Sequence, residues 1–257
     1  MAHTENTSAA DAGGIANTGG RRAFLKGTVA GGAAATAAAL VPTAQGQQSA
    51  AVNSTNTAAN AAAATGPAYT FLNPDEASFI EALVDHMVPA DALTPKGTNL
   101  GLNLYIDRAL AGGWGKGERL YMQGPWKQGT PSQGYQLPLT PAELYRAGIT
   151  ATNAHCTKTY AKPFDKITPA QREECLLNMQ GGKVVFEKGP PARVFFTTVY
   201  QNVMEGMFAD PIHGGNRNKV GWKMIGFPGA VAVHYQNVEK YRDKKYTVEP
   251  VGIADMS

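Results

Sequence analysis

Few groupings in this sequence have residue types suited to chemistry. His213 follows Asp210 by three positions in Asp210-Pro-Ile-His213-Gly214-Gly215-Asn216. An imidazole near a carboxylate is the minimum equipment for general acid–base work. His155-Cys156 sets two metal-ligating types side by side, but no second motif stands at ligand spacing. Gly112-Gly113-Trp114-Gly115-Lys116-Gly117 resembles a phosphate loop only superficially, because Glu118 replaces the Ser or Thr and the spacing is short. There is no Gly-x-Gly-x-x-Gly after a strand, no Gly-x-Ser-x-Gly and no Cys-x-x-Cys-His. Two cysteines are too few for an iron–sulfur cluster, which takes about four. No cofactor is therefore expected in this chain. A stand-alone enzyme or binding module would rest on the His213 loop alone.

Cys156 and Cys175 have a structural reading. Their midpoint falls in the turn Pro163-Phe-Asp-Lys-Ile-Thr168, between two expected helices. In an antiparallel hairpin, residues equidistant from the turn lie level, so the spacing makes them a candidate disulfide. Two buried free thiols, or one thiol bridged to a partner chain, stay open beside it.

The elements that would position these residues are helical. Asn73-Pro74-Asp75-Glu76 supplies a cap, a proline for the first turn and acids for the positive end of the dipole. The apolar recurrence Phe79, Leu83, Met87 follows, with a stop before Pro89. A second helix is expected over 102–110, closed by Gly112-Gly113. Thr140-Pro-Ala-Glu143 and Thr168-Pro-Ala-Gln171 are capping boxes, opening helices to about 161 and 180. Pro190-Pro191 precedes a long apolar helix through Met207, and a last helix is expected over 230–241. No stretch alternates with period two, so the fold class is all-α: an irregular helical bundle with long Gly/Pro/aromatic-rich loops. His86 and His234 then read as ordinary helix residues. Two loops stand out, 112–138 with Trp114 and Trp126, and 210–228 with Trp222. Connections this long inside a small domain are uncommon and usually functional. Aromatics on pliable backbone suit a partner surface or a cover for the bundle.

Composition separates the leader from this body. The chain has 257 residues, 43% apolar and 17% charged, but no Asp, Glu, Lys or Arg occurs from 27 to 74. Residues 1–66 contain 22 Ala and a single aromatic, Phe24. Arg21-Arg22-Ala-Phe24-Leu25-Lys26 precedes 15 weakly apolar residues, Pro42 and a small-residue cleavage site, Ala44-Gln-Gly46. These parts, in this order, resemble a twin-arginine (Tat) export signal, although Gly20 stands where Ser or Thr is usual. The expected domains are a signal peptide at 1–46, a disordered Ala/Ser/Asn-rich linker at 47–68 and a helical domain at 69–257. Net charge beyond the leader is about +2, too balanced for nucleic-acid binding. No 18-residue apolar window suggests a membrane span. The twin-arginine route carries folded proteins, often with cofactors. A cofactor-free body would then travel beside a partner that holds one.

Thr70-Phe-Leu-Asn-Pro-Asp-Glu76, Ile80-x-x-Leu83-Val-Asp-x-x-Val-Pro89, Asp210-Pro-Ile-His-Gly-Gly-Asn216 and Gly221-Trp-Lys-Met-Ile-Gly-Phe-Pro-Gly229 together resemble the gluconate 2-dehydrogenase small-subunit family (gamma, subunit 3). The resemblance runs from about 69 to 229, and its last block is the most specific. It implies a non-catalytic subunit of a periplasmic, membrane-associated heterotrimer. The large subunit would be a flavoprotein dehydrogenase with FAD, and the third a multihaem cytochrome c with haem c, which would attach the complex to the membrane. This chain would escort the flavoprotein through the Tat translocase and assist its flavin insertion. Under that reading the partner interface is expected at Trp114, Trp126, His213, Gly214, Gly215, Asn216, Trp222, Phe227 and Pro228.

Overall fold

Asn73 starts the first helix by reciprocal capping. Its Oδ1 accepts from the Glu76 amide at 2.9 Å, and the Glu76 carboxylate accepts from the Asn73 amide at 3.0 Å. Helix α1 (Pro74–Met87) follows and ends before Pro89. The computed structural model describes residues 68–256 except Arg119, Gln128 and Ala232. The expected signal residues Arg21, Arg22, Phe24, Leu25 and Lys26, and the linker as far as 67, lie outside the described residues.

The same logic opens the other main helices. Thr140 and Thr168 each make the reciprocal box with Glu143 and Gln171, starting α3 (Pro141–Tyr160) and α4 (Pro169–Gln180). Helix α2 (Leu102–Ala111) lies before α3 in the chain, and α5 (Ala192–Phe208) after α4. Two short helices complete the set, α6 (Val220–Ile225) and α7 (Tyr235–Lys240). Among the described residues there is no strand, only a single bridged pair, Gly229 with Val251. The fold is all-α.

Helix α5 is central, packing on α2, α3, α4 and α6. Phe195 and Val199 on its buried face meet an aromatic cluster. Phe79 lies 4.7 Å from Phe164 and 6.4 Å from Phe195, and Tyr145 meets Phe195 edge-on at 5.8 Å. Tyr145 is fully buried and donates to Asn202 Oδ1 at 2.6 Å, while Asn202 donates to Glu205 at 3.0 Å. Burial pushes the Tyr145 hydroxyl well above its usual range, so it stays a donor.

The segment before α1 is fixed by one buried carboxylate on α2. Asp107 Oδ2 accepts from the Thr70 amide at 2.8 Å, and Oδ1 from the Phe71 and Leu72 amides at 2.9 Å each. Arg146 of α3 closes over the same segment, 4.5 Å above the Phe71 ring and 3.3 Å from Glu76.

Two expectations are corrected. The last helix begins at Tyr235, not near 230. The Ala230 amide donates to Val251 O at 2.7 Å, and Val251 N to Pro228 O at 3.1 Å. Those bonds fasten the backbone at 228–230 to the tail. Within 210–228, expected as one loop, 220–225 coils into α6, closed by Gly226 at φ +72°.

Replacing Asp107 by Ala strands three amides, so the domain should lose about 3 kcal/mol in urea unfolding. Asp107→Asn, which retains one acceptor oxygen, should lose less.

Candidate functional site

An α-helix leaves its last four carbonyls without helical partners. At the end of α5, the residues of the 210–229 segment satisfy two of these groups. Trp222 Nε1 donates to Phe208 O at 2.6 Å, and Asn216 Nδ2 donates to Ala209 O at 2.9 Å. Asn216 Oδ1 also accepts from the Gly221 amide at 2.8 Å, locking the start of α6. Asn216 sits at φ +46°, which asparagine tolerates better than most residues. The glycines let the backbones meet. A Cβ on Gly215 would fall 2.3 Å from Gly206 O, and one on Gly221 would fall 2.1 Å from Met207 O. The Gly-Gly-Asn … Gly-Trp block is thus a cap for the central helix, built by the segment that directly follows it.

This decides the placement of the expected interface residues. Gly214, Gly215, Asn216 and Trp222 are buried and belong to the cap. His213 and Phe227 are exposed, and Pro228 is half-buried with its carbonyl bound to the tail. The buried Trp222 ring supports Phe227 edge-on at 5.2 Å. Trp114 and Trp126 are half-buried in the other loop, and Trp114 rests edge-on against Tyr145 at 6.4 Å.

Asp210 and His213 are not assembled as an acid–base pair. Asp210 Oδ1 accepts from Ile212 N at 3.0 Å and Oδ2 from Ile253 N at 2.8 Å. The carboxylate fixes a turn and fastens the tail instead of orienting the imidazole. The 112–117 segment likewise turns its amides inward. Gly115 N donates to Ala109 O at 3.1 Å, Lys116 N to Gly112 O at 3.3 Å and Gly117 N to Trp114 O at 2.9 Å. Donors that a phosphate cradle would aim at an anion are already used.

The tail supplies what the sequence reading missed. Lys219 donates to Pro250 O at 3.0 Å and pairs with Asp255. The Lys219 ammonium, then the Gly252 amide, hold the Asp255 carboxyl below its usual range. Lys223 pairs with Glu249 at 3.1 Å. One carboxylate binds the amides of both Ile212 and Ile253, which brings the backbones of two exposed residues close. Phe227 and Val251 are likewise brought together by the Pro228–Val251 bond, and both are exposed. Exposed apolar groups gathered this way mark interaction surfaces. The available signal was the apolar content of Val248-Glu-Pro-Val251-Gly-Ile253.

Elsewhere, a groove of about 800 Å³ runs between α1 and the turns at 96–99 and 165–166. Its charges are largely paired, Lys96 with Asp85 at 2.8 Å and Lys166 with Asp165 at 2.9 Å. Cys156 and Cys175 face each other as buried thiols with sulfurs 3.7 Å apart. The bond to Cys175, then burial, pushes the Cys156 thiol up. His155 next to it is half-buried, its pKa lowered by burial and by Lys158. Among the described residues, no group of three or more His, Cys, Asp or Glu is placed to hold a metal ion. Nor is any helix there long and apolar enough to cross a membrane.

An all-α domain whose specific motif caps its own central helix, and presents apolar groups beside that cap, has the character of a subunit. The sequence profile of gluconate 2-dehydrogenase subunit 3 matches residues 74–229, more than half of the chain, and the chain belongs to that family. No curated protein and no solved structure gives a significant match. The matched span ends at Gly229, so the tail that fastens onto the loop lies beyond it.

The cap predicts an order of effects. Asn216→Ala removes bonds at both ends of its amide and should cost about 2–3 kcal/mol. Trp222→Phe removes one donor and should cost about 1–2 kcal/mol. His213→Ala, at an exposed site, should stay within about 0.5 kcal/mol of the parent in thermal or urea unfolding.

Proposed function

We propose that this chain is the non-catalytic small subunit of a periplasmic, membrane-bound, FAD-dependent dehydrogenase complex of the gluconate 2-dehydrogenase type. It escorts the flavoprotein subunit through the Tat pathway and supports its folding and flavin insertion. The family match over 74–229 is the observation that carries this reading. The twin-arginine pattern at Arg21-Arg22 supports the route, since it directs folded cargo and the flavoprotein would travel with it. FAD belongs to that partner, and haem c to a multihaem cytochrome subunit through which the complex meets the membrane. The substrate would be a sugar or sugar acid oxidised at a CH–OH group.

The exposed groups Ile212, Phe227, Val251 and Ile253 form the face offered to the flavoprotein. Phe227 gives apolar contact area beside the cap, and Val251 and Ile253 give it on the tail fastened by the Pro228 carbonyl and the Asp210 carboxylate. Trp114 and Trp126 would extend the interface from the other loop.

The flavoprotein subunit expressed without this chain should remain in the cytoplasm with most of its flavin missing. Full flavin loading and export in its absence would overturn the escort role. The paired substitutions Phe227→Asp and Ile253→Asp should weaken co-purification of the complex at least tenfold. The unfolding midpoint of the isolated chain should move by only a few degrees.

A further inference from the structure

We propose that Cys156 and Cys175 are a closable dithiol, converted to a disulfide that staples α3 to α4 whenever the hairpin opens before a disulfide-bearing oxidant. The hairpin's register is set without the sulfurs. Phe164 N donates to Asn153 Oδ1 at 3.0 Å, and Arg172 donates to Phe164 O at 3.1 Å and Asp165 O at 2.6 Å. Tyr160 reaches across to Glu174 at 3.2 Å. These contacts hold the two sulfurs face to face at 3.7 Å, about 1.7 Å beyond bonding distance. Closure therefore requires local rotation of the side chains rather than a new arrangement of the helices. The enclosed loop has a sequence separation of 19 residues, long enough for a cross-link to restrict the unfolded chain appreciably.

The chemistry is two thiol–disulfide exchanges. One cysteine, as thiolate, attacks the oxidant's disulfide, forms a mixed disulfide and releases one thiol. The second cysteine attacks the cysteine sulfur of that intermediate and releases the other. Two electrons pass to the oxidant, and the two cysteine protons end on the released thiols. Access is the gate. Both cysteines show no exposed surface, so an oxidant of glutathione size cannot reach either sulfur in the closed hairpin. Burial opposes the thiolate at both sulfurs, and at Cys175 the hydrogen bond from Cys156 outweighs it. The exchange rate then follows the opening of α4 from α3, resisted by the Tyr160–Glu174 contact and by the His86–Glu173 pair at 2.8 Å.

The test uses the full chain, purified reduced and incubated with oxidised glutathione, with and without sub-denaturing urea. Non-reducing peptide mapping should find the 156–175 link in both, forming at least tenfold faster with urea. After urea removal, the unfolding midpoint should rise by roughly 5–10 °C over the reduced chain and fall back on reduction. Cys175→Ser should yield at most a glutathione adduct at Cys156 and no such rise. Adducts or free thiols as the end state of the parent chain would overturn the staple. A rate indifferent to urea would overturn the gating.

Discussion

The open carboxyl end of α5 is the constraint on which the rest of this structure depends. The helix packs on four others, and its last carbonyls, on half-buried residues, are left without helical partners. Two side chains from a segment that leaves the helix and folds back over it meet this need, Asn216 and Trp222. Once they are seated, the path of 210–229 is decided. Gly215 and Gly221 lie against carbonyls of α5, α6 begins from the Asn216 amide, and Phe227 is carried to the surface on the Trp222 ring. The Gly-Gly-Asn … Gly-Trp part of the sequence is thus a fastening. The exposed face is a by-product of how that fastening is built.

A second fixed point lies at the opposite end of the domain's sequence. Asp107 gathers three consecutive amides and binds the entry segment to α2, while Arg146 covers it. Like the α5 cap, it joins chain segments through a side chain and backbone groups, but over more than thirty residues. In each case the partner is buried, which makes such bonds costly to lose. Between these points the aromatic cluster around Phe195 and Tyr145 fills the interior.

The sequence revealed what is decided locally. Capping at Asn73, Thr140 and Thr168 depends on contacts three residues apart, and each helix begins where its cap residue announces it. Hairpin geometry sets Cys156 and Cys175 level, and their sulfurs lie 3.7 Å apart as free thiols. Decisions taken over distance were hidden. Residues 230–234 have helical composition, but the Ala230 amide is claimed by Val251. Trp222 on a glycine-rich loop looks the same in sequence whether it faces a partner or its own helix. Only the unpaired carbonyls of α5 decide between these. Asp210 near His213 suggested chemistry, but Ile253, more than forty residues on, takes up the carboxylate.

The tail is joined to the 210–229 segment by Lys219 with Asp255 and the Pro250 carbonyl, by Lys223 with Glu249, by Asp210 with the Ile253 amide, and by the bridge at Val251. Two of these joints are ion pairs at the surface, a kind of contact worth little and screened by salt. The cap beneath uses neutral hydrogen bonds from two buried side chains. Frame and facing are therefore separable. Salt weakens the ion-paired part of the facing and leaves the bonds of the frame unchanged, much as a fitting is held on a fixed mount.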